Sequence, residues 1–296
     1  MQENIIECRN LTHYYGSRLI YENLSFNVPK GRILGLLGKN GTGKTTTINI
    51  LSGYLKPAAG QCLIFGEDIK RMAPETRRRI GLLIEGHVQY NFMNIGQVEK
   101  FYSAFYPRWK KDAYYGLMEK LHVLPSQPIS RMSCGQRSQV TLGLILAQDP
   151  DLLVLDDFSM GLDPGYRRLF IDYLKEYAKA ENKTVFLTSH IISDMERLID
   201  DCIMMDYGRI LIQQPVDDIL GNLRRYTFTT ENPDQEFPQD KGIYHPSVIK
   251  NNGEAFSFEA MDYVGDYLRK NGIRFDGLKA ETVNLEDAFI GLTGKY

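Results

Sequence analysis

The segment GKNGTGKT, residues 38–45, has the spacing G-x-x-x-x-G-K-[ST] of a loop that binds phosphate. Its glycines allow successive backbone N–H groups to turn toward one anion, and a helix that starts there adds the positive end of its dipole. Lys44 would reach the β- and γ-phosphates of a nucleotide, and the Thr45 hydroxyl would bind Mg²⁺. The predicted nucleotide contacts from this segment are Gly38, Lys39, Asn40, Gly41, Thr42, Gly43, Lys44, Thr45 and Thr46.

Two adjacent carboxylates end the apolar run LLVLDD, residues 152–157. Burying a charge is costly unless another group compensates it. An acidic residue at the carboxyl end of a buried strand beside a phosphate loop can bind Mg²⁺, directly or through water. We expect Asp156 to take that role. Asp163 precedes Pro164, which is a favourable start for a helix, so it is the better candidate for a helix cap.

Several apolar runs end in a polar residue that could act on a nucleotide. RILGLL leads into the phosphate loop, IGLLI ends at Glu85, LLVL at Asp156, and TVFLTS at His190. Ligands of parallel sheets bind outside the carboxyl ends of the strands. The pattern therefore predicts that Glu85, Asp156 and His190 surround the phosphate loop, although a histidine considered alone is more often structural.

The order of predicted elements indicates a mostly parallel α/β sheet. The antiparallel strands IIECRNL and LIYENLSFNV come first, with HYYGS as the turn between them. A helical segment follows at about residues 86–149, and strands then alternate with helices. We predict one domain over residues 1–222 and a small α+β unit over 223–296, with a loop or linker rich in Pro, Asp and Gly at residues 231–242.

Composition excludes several classes of protein. Hydrophobic residues make up 43% and charged residues 24% of the 296 positions, as in ordinary globular proteins. The formal net charge of -2 gives no support for general nucleic-acid binding. The four cysteines have no metal-ligand spacing and are expected to be reduced thiols of a cytosolic protein. No apolar stretch approaches the roughly 20 residues that span a bilayer, so a role at a membrane would require another chain.

The motifs and their order resemble the ATP-binding subunit of an ABC transporter over about residues 4–220. A GTPase would carry Asn-Lys-x-Asp, which the nearest string, at residues 182–185, lacks. Tyr15 matches the aromatic residue that stacks on adenine, with Tyr14 as the neighbouring alternative. MSCGQ, residues 132–136, lies where the family has its LSGGQ signature, and GLDP contains the D-loop residue Asp163. The resemblance implies a P-loop NTPase fold of the ABC-ATPase type, with an antiparallel β part, a helical subdomain and a C-terminal extension.

The resemblance also implies a mechanism in which two such domains pair head to tail. ATP would lie between the phosphate loop of one chain and the signature of the other. In that arrangement Asp157 polarises the attacking water, His190 contacts the γ-phosphate, and Glu85 joins Thr45 and Asp156 around Mg²⁺. The signature residues that would contact ATP in trans are Ser133, Cys134, Gly135 and Gln136.

The chain departs from the family pattern at three positions. Asp157 stands where the family usually has Glu, Cys134 where it has Gly, and Glu85 where it has Gln. The Asp157 carboxylate is one methylene shorter, and a misplacement of about 1 Å can cost on the order of a hundredfold in rate. We therefore expect hydrolysis to be slow in a homodimer or asymmetric in a heterodimer.

The function expected from these observations is ATP hydrolysis, with Mg²⁺, that powers export of a drug, peptide or lipid-like substrate. The expected partners are a second copy or a homologous ATPase subunit and an integral membrane permease that places the chain at the inner face of the membrane. No nucleic acid is expected. Two alternatives remain open: a dimerisation switch with little turnover, and a soluble ABC ATPase without a transport role.

Two segments allow more than one interpretation. The aromatic residues of 90–109 either form the groove that receives a permease helix or fill the core of the helical subdomain. The C-terminal unit resembles the extension of bacterial drug- and peptide-export ATPases, and it either stabilises the dimer by packing or carries a regulatory ligand site.

Overall fold

The structure of the protein is a computed structural model that describes residues 3–84, 90–159, 161–231, 237–238 and 240–294. The strands are β1 (Asn4–Tyr15), β2 (Arg18–Pro29), β3 (Ile33–Gly38), β4 (Ala59–Ile64), β5 (Glu67–Asp68), β6 (Ile80–Leu83), β7 (Leu152–Leu155), β8 (Thr184–Thr188), β9 (Asp201–Asp206), β10 (Arg209–Pro215), β11 (Arg224–Thr229), β12 (Tyr244–Ile249), β13 (Asn252–Ser257) and β14 (Asp276–Thr282). The helices are α1 (Lys44–Leu51), α2 (Pro74–Arg77), α3 (Ile95–Ser103), α4 (Lys111–Lys120), α5 (Cys134–Ala147), α6 (Pro164–Ala180), α7 (Ile192–Leu198), α8 (Val216–Asn222), α9 (Met261–Lys270) and α10 (Leu285–Thr293).

The central sheet has the strand order β10-β9-β3-β8-β7-β6. Its strands run parallel except for β10, which pairs antiparallel with β9. Every residue of β7 and β8 is buried, which is typical of parallel strands covered on both faces. Because β3, β7 and β8 run in the same direction, the residues that follow them meet at one edge of the sheet, as the sequence predicts.

The N-terminal sheet is antiparallel, with the order β2-β1-β4-β5. The predicted turn HYYGS is wrong in extent. Tyr14 pairs with Leu19 and Tyr15 pairs with Arg18, so both tyrosines lie on β1. The turn shortens to two residues because Gly16 adopts a φ of +60°, and aromatic residues favour the extended conformation that Tyr14 and Tyr15 adopt.

The segment between β6 and β7 is mainly helical, as predicted, in its described part. Two of its helices begin with capping boxes, in which a polar residue and a glutamine three positions later satisfy each other's backbone N–H groups. Asn94 and Gln97 form one at the start of α3, and Ser133 forms one with Gln136 at the start of α5. Helix α5 then packs against α4, α6 and β6.

The C-terminal segment forms an antiparallel sheet with the order β12-β13-β11-β14. Helix α9 places Val264 and Leu268 in a small core with Tyr226 and Phe228 of β11. This core is distinct from the two cores that flank the central sheet. Among the described residues, no helix is both long enough and apolar enough to cross a bilayer.

Helix α10 leaves that small core and packs on the central one. Leu285, Ala288 and Leu292 are buried in the same cluster as the residues of α5 and β7. At the start of the helix, the Leu285 N–H donates a 2.8 Å hydrogen bond to Glu196 Oε2 of α7. The boundary near residue 222 therefore separates two sheets, while the end of the C-terminal unit is part of the main core.

A cluster of charged side chains around Asp149 lies at the amino end of β7. Lys183 Nζ lies 2.6 Å from Asp149 Oδ1, Arg108 Nη2 lies 2.9 Å from Asp149 Oδ2, and Lys110 Nζ lies 3.2 Å from Oδ1. Burial alone would raise the pKa of Asp149, but hydrogen bonds from Lys183, Arg108 and Lys110 outweigh it and lower the pKa below its ordinary value. The cluster links the helical segment to the loop before β8.

We predict that Asp149→Asn lowers the free energy of unfolding at pH 7 by about 1–3 kcal/mol, because the variant loses the charged partner of three cations. Asparagine keeps the shape of the side chain and tolerates the φ of +52° at this position. The pKa of Asp149 in the folded state lies below the ordinary value of 3.8, so the ionised carboxylate stabilises the fold at pH values above 3.8. This stabilisation is lost as the pH falls through the folded pKa. Urea unfolding should therefore show the two proteins converging below about pH 4.

The control is Asp172→Asn, whose carboxylate is exposed and pairs with Arg168 one helical turn away. Exposed pairs of this kind contribute about 0–1 kcal/mol, so this variant should unfold much like the wild type. A difference between Asp149→Asn and wild type that persists unchanged to pH 3 would rule out the carboxylate's charge as its cause.

Candidate nucleotide-binding site

The phosphate loop connects β3 to α1. Gly43 is the N-cap of α1 with a φ of 102°, and a Cβ there would lie 2.7 Å from the ring of Tyr21. Only glycine combines this backbone conformation with so close an approach to β2. Because Gly43 has no side chain to cap the helix, the first N–H groups of α1 are oriented as an anion site.

Lys44 is only 8% exposed and lies within the loop. Its Nζ donates to the carbonyl oxygens of Gly38 at 2.6 Å and Lys39 at 3.1 Å. Burial lowers the pKa of Lys44, and the negative charges of Asp156 and Asp157 oppose that shift. A bound phosphate would replace the two carbonyl contacts with stronger charge-assisted hydrogen bonds.

Asp156 and Asp157 are 1% and 7% exposed at the end of β7. The Thr188 hydroxyl at the end of β8 donates to Asp156 Oδ1 at 2.7 Å and accepts the Asp157 N–H at 2.9 Å. Within the described part of the chain, the Oδ2 atoms of both aspartates accept no hydrogen bond. Buried carboxylate oxygens without a donor, beside a phosphate loop, are suited to a hard cation, so these residues fit Mg²⁺.

His190 contacts the second aspartate through both its backbone and its ring. The His190 N–H donates to Asp157 Oδ1 at 3.3 Å, and His190 Nε2 lies 3.5 Å from Asp157 Oδ2. The hydroxyls of Ser159 and Ser189 are 2.9 Å apart and join the same two segments. The residues that follow β7 and β8 thus form one hydrogen-bonded unit. Asp157 itself has a φ of +43°, in the left-handed region that Asp tolerates better than most residues.

Tyr15 lies beside the first turn of α1. The Thr46 hydroxyl is 3.4 Å from the Tyr15 hydroxyl, and the His13 ring contacts the Tyr15 ring edge to face at 4.9 Å. Tyr14 and Tyr15 are both exposed. The contact with Thr46 favours Tyr15 over Tyr14 as the aromatic residue next to the phosphate loop, and its stacking on adenine stays a prediction.

The signature residues start a different helix, α5. Ser133 caps it, and Ser133 and Cys134 are exposed there. A Cβ on Gly135 would lie 2.4 Å from the Tyr166 ring, so this position requires glycine for close packing against α6. Asp163 caps α6, as predicted, by accepting the N–H groups of Gly165 and Tyr166.

The structure therefore brings together the phosphate loop, Asp156, Asp157 and His190, and it places the signature on a separate exposed helix start. Glu85, predicted for the same site, lies outside the described residues. The sequence reasoning missed Thr188, although the TSH string gave a signal for it at the carboxyl end of β8. It also missed the side-chain contact of Lys39 with Thr293, for which a local pattern gives no signal.

A buried loop lysine after β3, with paired carboxylates after β7, the next parallel strand but one in the sheet, defines the class of P-loop nucleoside triphosphatases. The family model described as ABC transporter matches residues 21–159. Bacitracin transport ATP-binding protein BcrA of Bacillus licheniformis is 30% identical, with 98% of this chain and 97% of the relative covered. Nod factor export ATP-binding protein I of Ralstonia nicotianae is 34% identical, with coverage of 98% and 94%.

Solved structures of ATP-binding cassettes have the same fold as this chain. One described as the ATP-binding subunit of an ABC transporter has a TM-score of 0.65 and 26% identity, with 73% of this chain and 91% of that chain covered. A dimeric ATP-binding cassette solved with ADP and Pi shares the fold, with a TM-score of 0.61, 19% identity, and coverage of 71% and 98%. The chain belongs to the ATP-binding subunits of ABC transporters and is an ATPase, which confirms the predicted family, fold class and enzyme type.

We predict that Thr188→Val lowers kcat for ATP hydrolysis by roughly ten- to a hundredfold, because neither aspartate keeps its position without the hydroxyl. The affinity for ATP should change little, since the phosphate loop is untouched. Steady-state hydrolysis and nucleotide titration measure the two quantities. Thr229→Val, at the exposed last position of β11, is the matched control and should behave as wild type. A normal kcat in Thr188→Val would show that the hydroxyl does not position the acids.

Proposed function

We propose that this ATPase uses Mg²⁺-ATP to power export of a drug, peptide or lipid-like compound through a separate membrane permease. The observation that supports hydrolysis best is the single cluster formed by Lys44, Asp156, Asp157 and His190 at the carboxyl edge of the sheet. Export is supported by the relatives, which are named for bacitracin transport and Nod factor export and match over nearly their whole length.

Each residue of the cluster has a distinct proposed role. Lys44 contacts the β- and γ-phosphates, and Asp157 orients and polarises the attacking water. His190 contacts the γ-phosphate and, through its two contacts, fixes the Asp157 carboxylate. Asp156 and Thr45 would hold Mg²⁺, which supplies positive charge against the phosphates when bound. Glu85 remains a third proposed ligand on the basis of sequence.

We predict that His190→Ala abolishes steady-state ATP hydrolysis by the purified chain, and that Asp157→Glu raises it severalfold. The longer acid would move the carboxylate toward the water by about the length of one methylene. Lys44→Ala is the control for a binding defect: it should lower the affinity for ATP, whereas His190→Ala should lower the rate of hydrolysis. A rate in Asp157→Glu that is equal to or below wild type would show that the site is adapted to aspartate, in line with its left-handed backbone.

We further propose that ATP joins two copies, or this chain and a homologous subunit, head to tail. The exposed start of α5 offers backbone N–H groups to the γ-phosphate bound by the partner, and Cys134 keeps its N–H although it adds a side chain. The shorter acid at Asp157 favours one alternative, an ATP-driven dimerisation switch. ATP binding and dimer formation without turnover would support that alternative over the export engine.

An exposed aromatic surface is the proposed permease contact. Phe92 is 81% exposed, and Phe105, Phe101 and Tyr90 are exposed beside it. Edge-to-face contacts join Tyr90 to Phe92 and Phe101, and Phe101 to Phe105. Next to these rings is a cavity of about 190 Å³ lined partly by Tyr102. Exposed apolar patches of this kind mark protein interaction sites. Val98 of α3, the helix that also carries Phe101, is buried and fills the core.

We predict that Phe92→Asp combined with Phe105→Asp releases the chain from the membrane fraction of its native cells, because the charges oppose burial against a permease helix. ATP affinity should remain within about twofold of wild type, because neither ring lies in the phosphate loop. Ile249→Asp is the control, since Ile249 is 61% exposed on β12 of the C-terminal sheet. Membrane association that survives the double change would place the permease contact elsewhere.

A further inference from the structure

The side chain of Lys39 in the phosphate loop contacts the C-terminal helix. Lys39 is only 8% exposed, and its Nζ donates a 2.8 Å hydrogen bond to the carbonyl oxygen of Thr293. Thr293 is the last residue of α10 and is itself buried. The contact thus joins the nucleotide site to the end of the accessory segment.

The partner atom is suited to an ammonium group. The last carbonyl oxygens of a helix accept no hydrogen bond from another residue of the helix, and they lie at the negative end of the helix dipole. A hydrogen bond from a charged donor to such a carbonyl is stronger than one between neutral groups. Because both residues are buried, water does not compete well for this bond.

The backbone of Lys39 organises the rest of the loop. Its carbonyl oxygen accepts hydrogen bonds from the Thr42 N–H at 3.3 Å, the Thr42 hydroxyl at 2.8 Å and Lys44 Nζ at 3.1 Å. Any shift of Lys39 therefore moves the acceptor that orients both Thr42 and Lys44. The Lys39 side chain links the residue that carries this acceptor to Thr293.

Helix α10 is also fixed at its other end. The Leu285 N–H bonds to Glu196 of α7, the helix that begins just after His190. Between its ends, α10 packs on α7, α8 and β9. It therefore bridges the helix that follows His190 and the loop predicted to bind phosphate.

We infer that α10 is a positioning element of the ATP site, and that Lys39 is the positioning residue through which it acts on the phosphate loop. The inference rests on the proposed role of that loop in binding ATP. By linkage, α10 docking and nucleotide binding stabilise each other to the same extent. The C-terminal unit thus acts on ATP affinity within one chain, separately from any contact it makes in a dimer.

Lys39→Met tests the contact, because methionine keeps an unbranched apolar chain and loses the charged donor. We expect about tenfold weaker binding of a non-hydrolysable ATP analogue, measured by calorimetry, from the loss of one buried hydrogen bond to a charged group. Hydrogen exchange of α10 amides, residues 285–293, should accelerate in the nucleotide-free variant. Lys39→Arg keeps a charged donor and should restore both properties.

Glu196→Ala weakens α10 from its opposite end and should also lower analogue affinity. In the double variant with Lys39→Met, the loss of analogue binding free energy should be smaller than the sum of the losses in the two single variants, because both act through α10. If Lys39 instead only contacts phosphate, Lys39→Met will leave exchange of α10 unchanged and Glu196→Ala will leave affinity unchanged. Either result overturns the inference.

Lys44→Ala separates failure of the inference from failure of the proposed function. If Lys44→Ala binds the analogue like wild type, the loop is not the nucleotide site and the proposed function is wrong. If Lys44→Ala loses affinity while Lys39→Met and Glu196→Ala keep it, the loop binds ATP and only the positioning role is wrong.

Discussion

The compensation of buried charge at one edge of the central sheet is the constraint on which the site depends. A lysine ammonium and two aspartate carboxylates lie there with little access to water, and each would be unfavourable alone. The parallel pairing of β3, β8 and β7 brings them to the same edge. Thr188 donates to one oxygen of Asp156 and the His190 N–H donates to one oxygen of Asp157, while the Oδ2 atom of each accepts no hydrogen bond within the described residues. The charges that would be costly without a counter-ion are the same charges that are proposed to bind Mg²⁺-ATP.

Two helix starts are proposed to contact phosphate, and they differ in which backbone N–H groups they leave without a capping partner. Gly43 gives α1 no side-chain cap, so no capping side chain occupies the first N–H groups of this helix. At α5, the capping box of Ser133 and Gln136 uses the N–H groups of those two residues. The N–H groups of Cys134 and Gly135 lie outside that box. A cysteine at this position changes the surface over the helix start without removing a backbone donor.

The part of the site that depends on local sequence could be predicted. The spacing of GKNGTGKT specifies the loop, and the apolar runs before Asp156 and His190 specify two strand ends. Contacts between distant segments could not be predicted in this way. Asp149, for example, receives its partners from residues 108, 110 and 183. The predicted end of β1 is wrong for a local reason, because one glycine shortens the turn and brings Tyr14 and Tyr15 into the strand pairing. The return of α10 to the main core depends on packing that no periodicity in residues 285–293 specifies.

The contact between Lys39 and Thr293 joins positions 254 residues apart in the chain. At a synthesis rate of about 5–20 residues per second, roughly 13–50 seconds separate the appearance of the two residues on the ribosome. The phosphate loop and its strand are therefore available to fold long before the helix end that contacts Lys39 exists. Closing a loop of this length costs conformational entropy, which favours formation of the local elements before this contact. The nascent chain thus spends most of its synthesis with a complete phosphate loop that lacks its contact with Thr293.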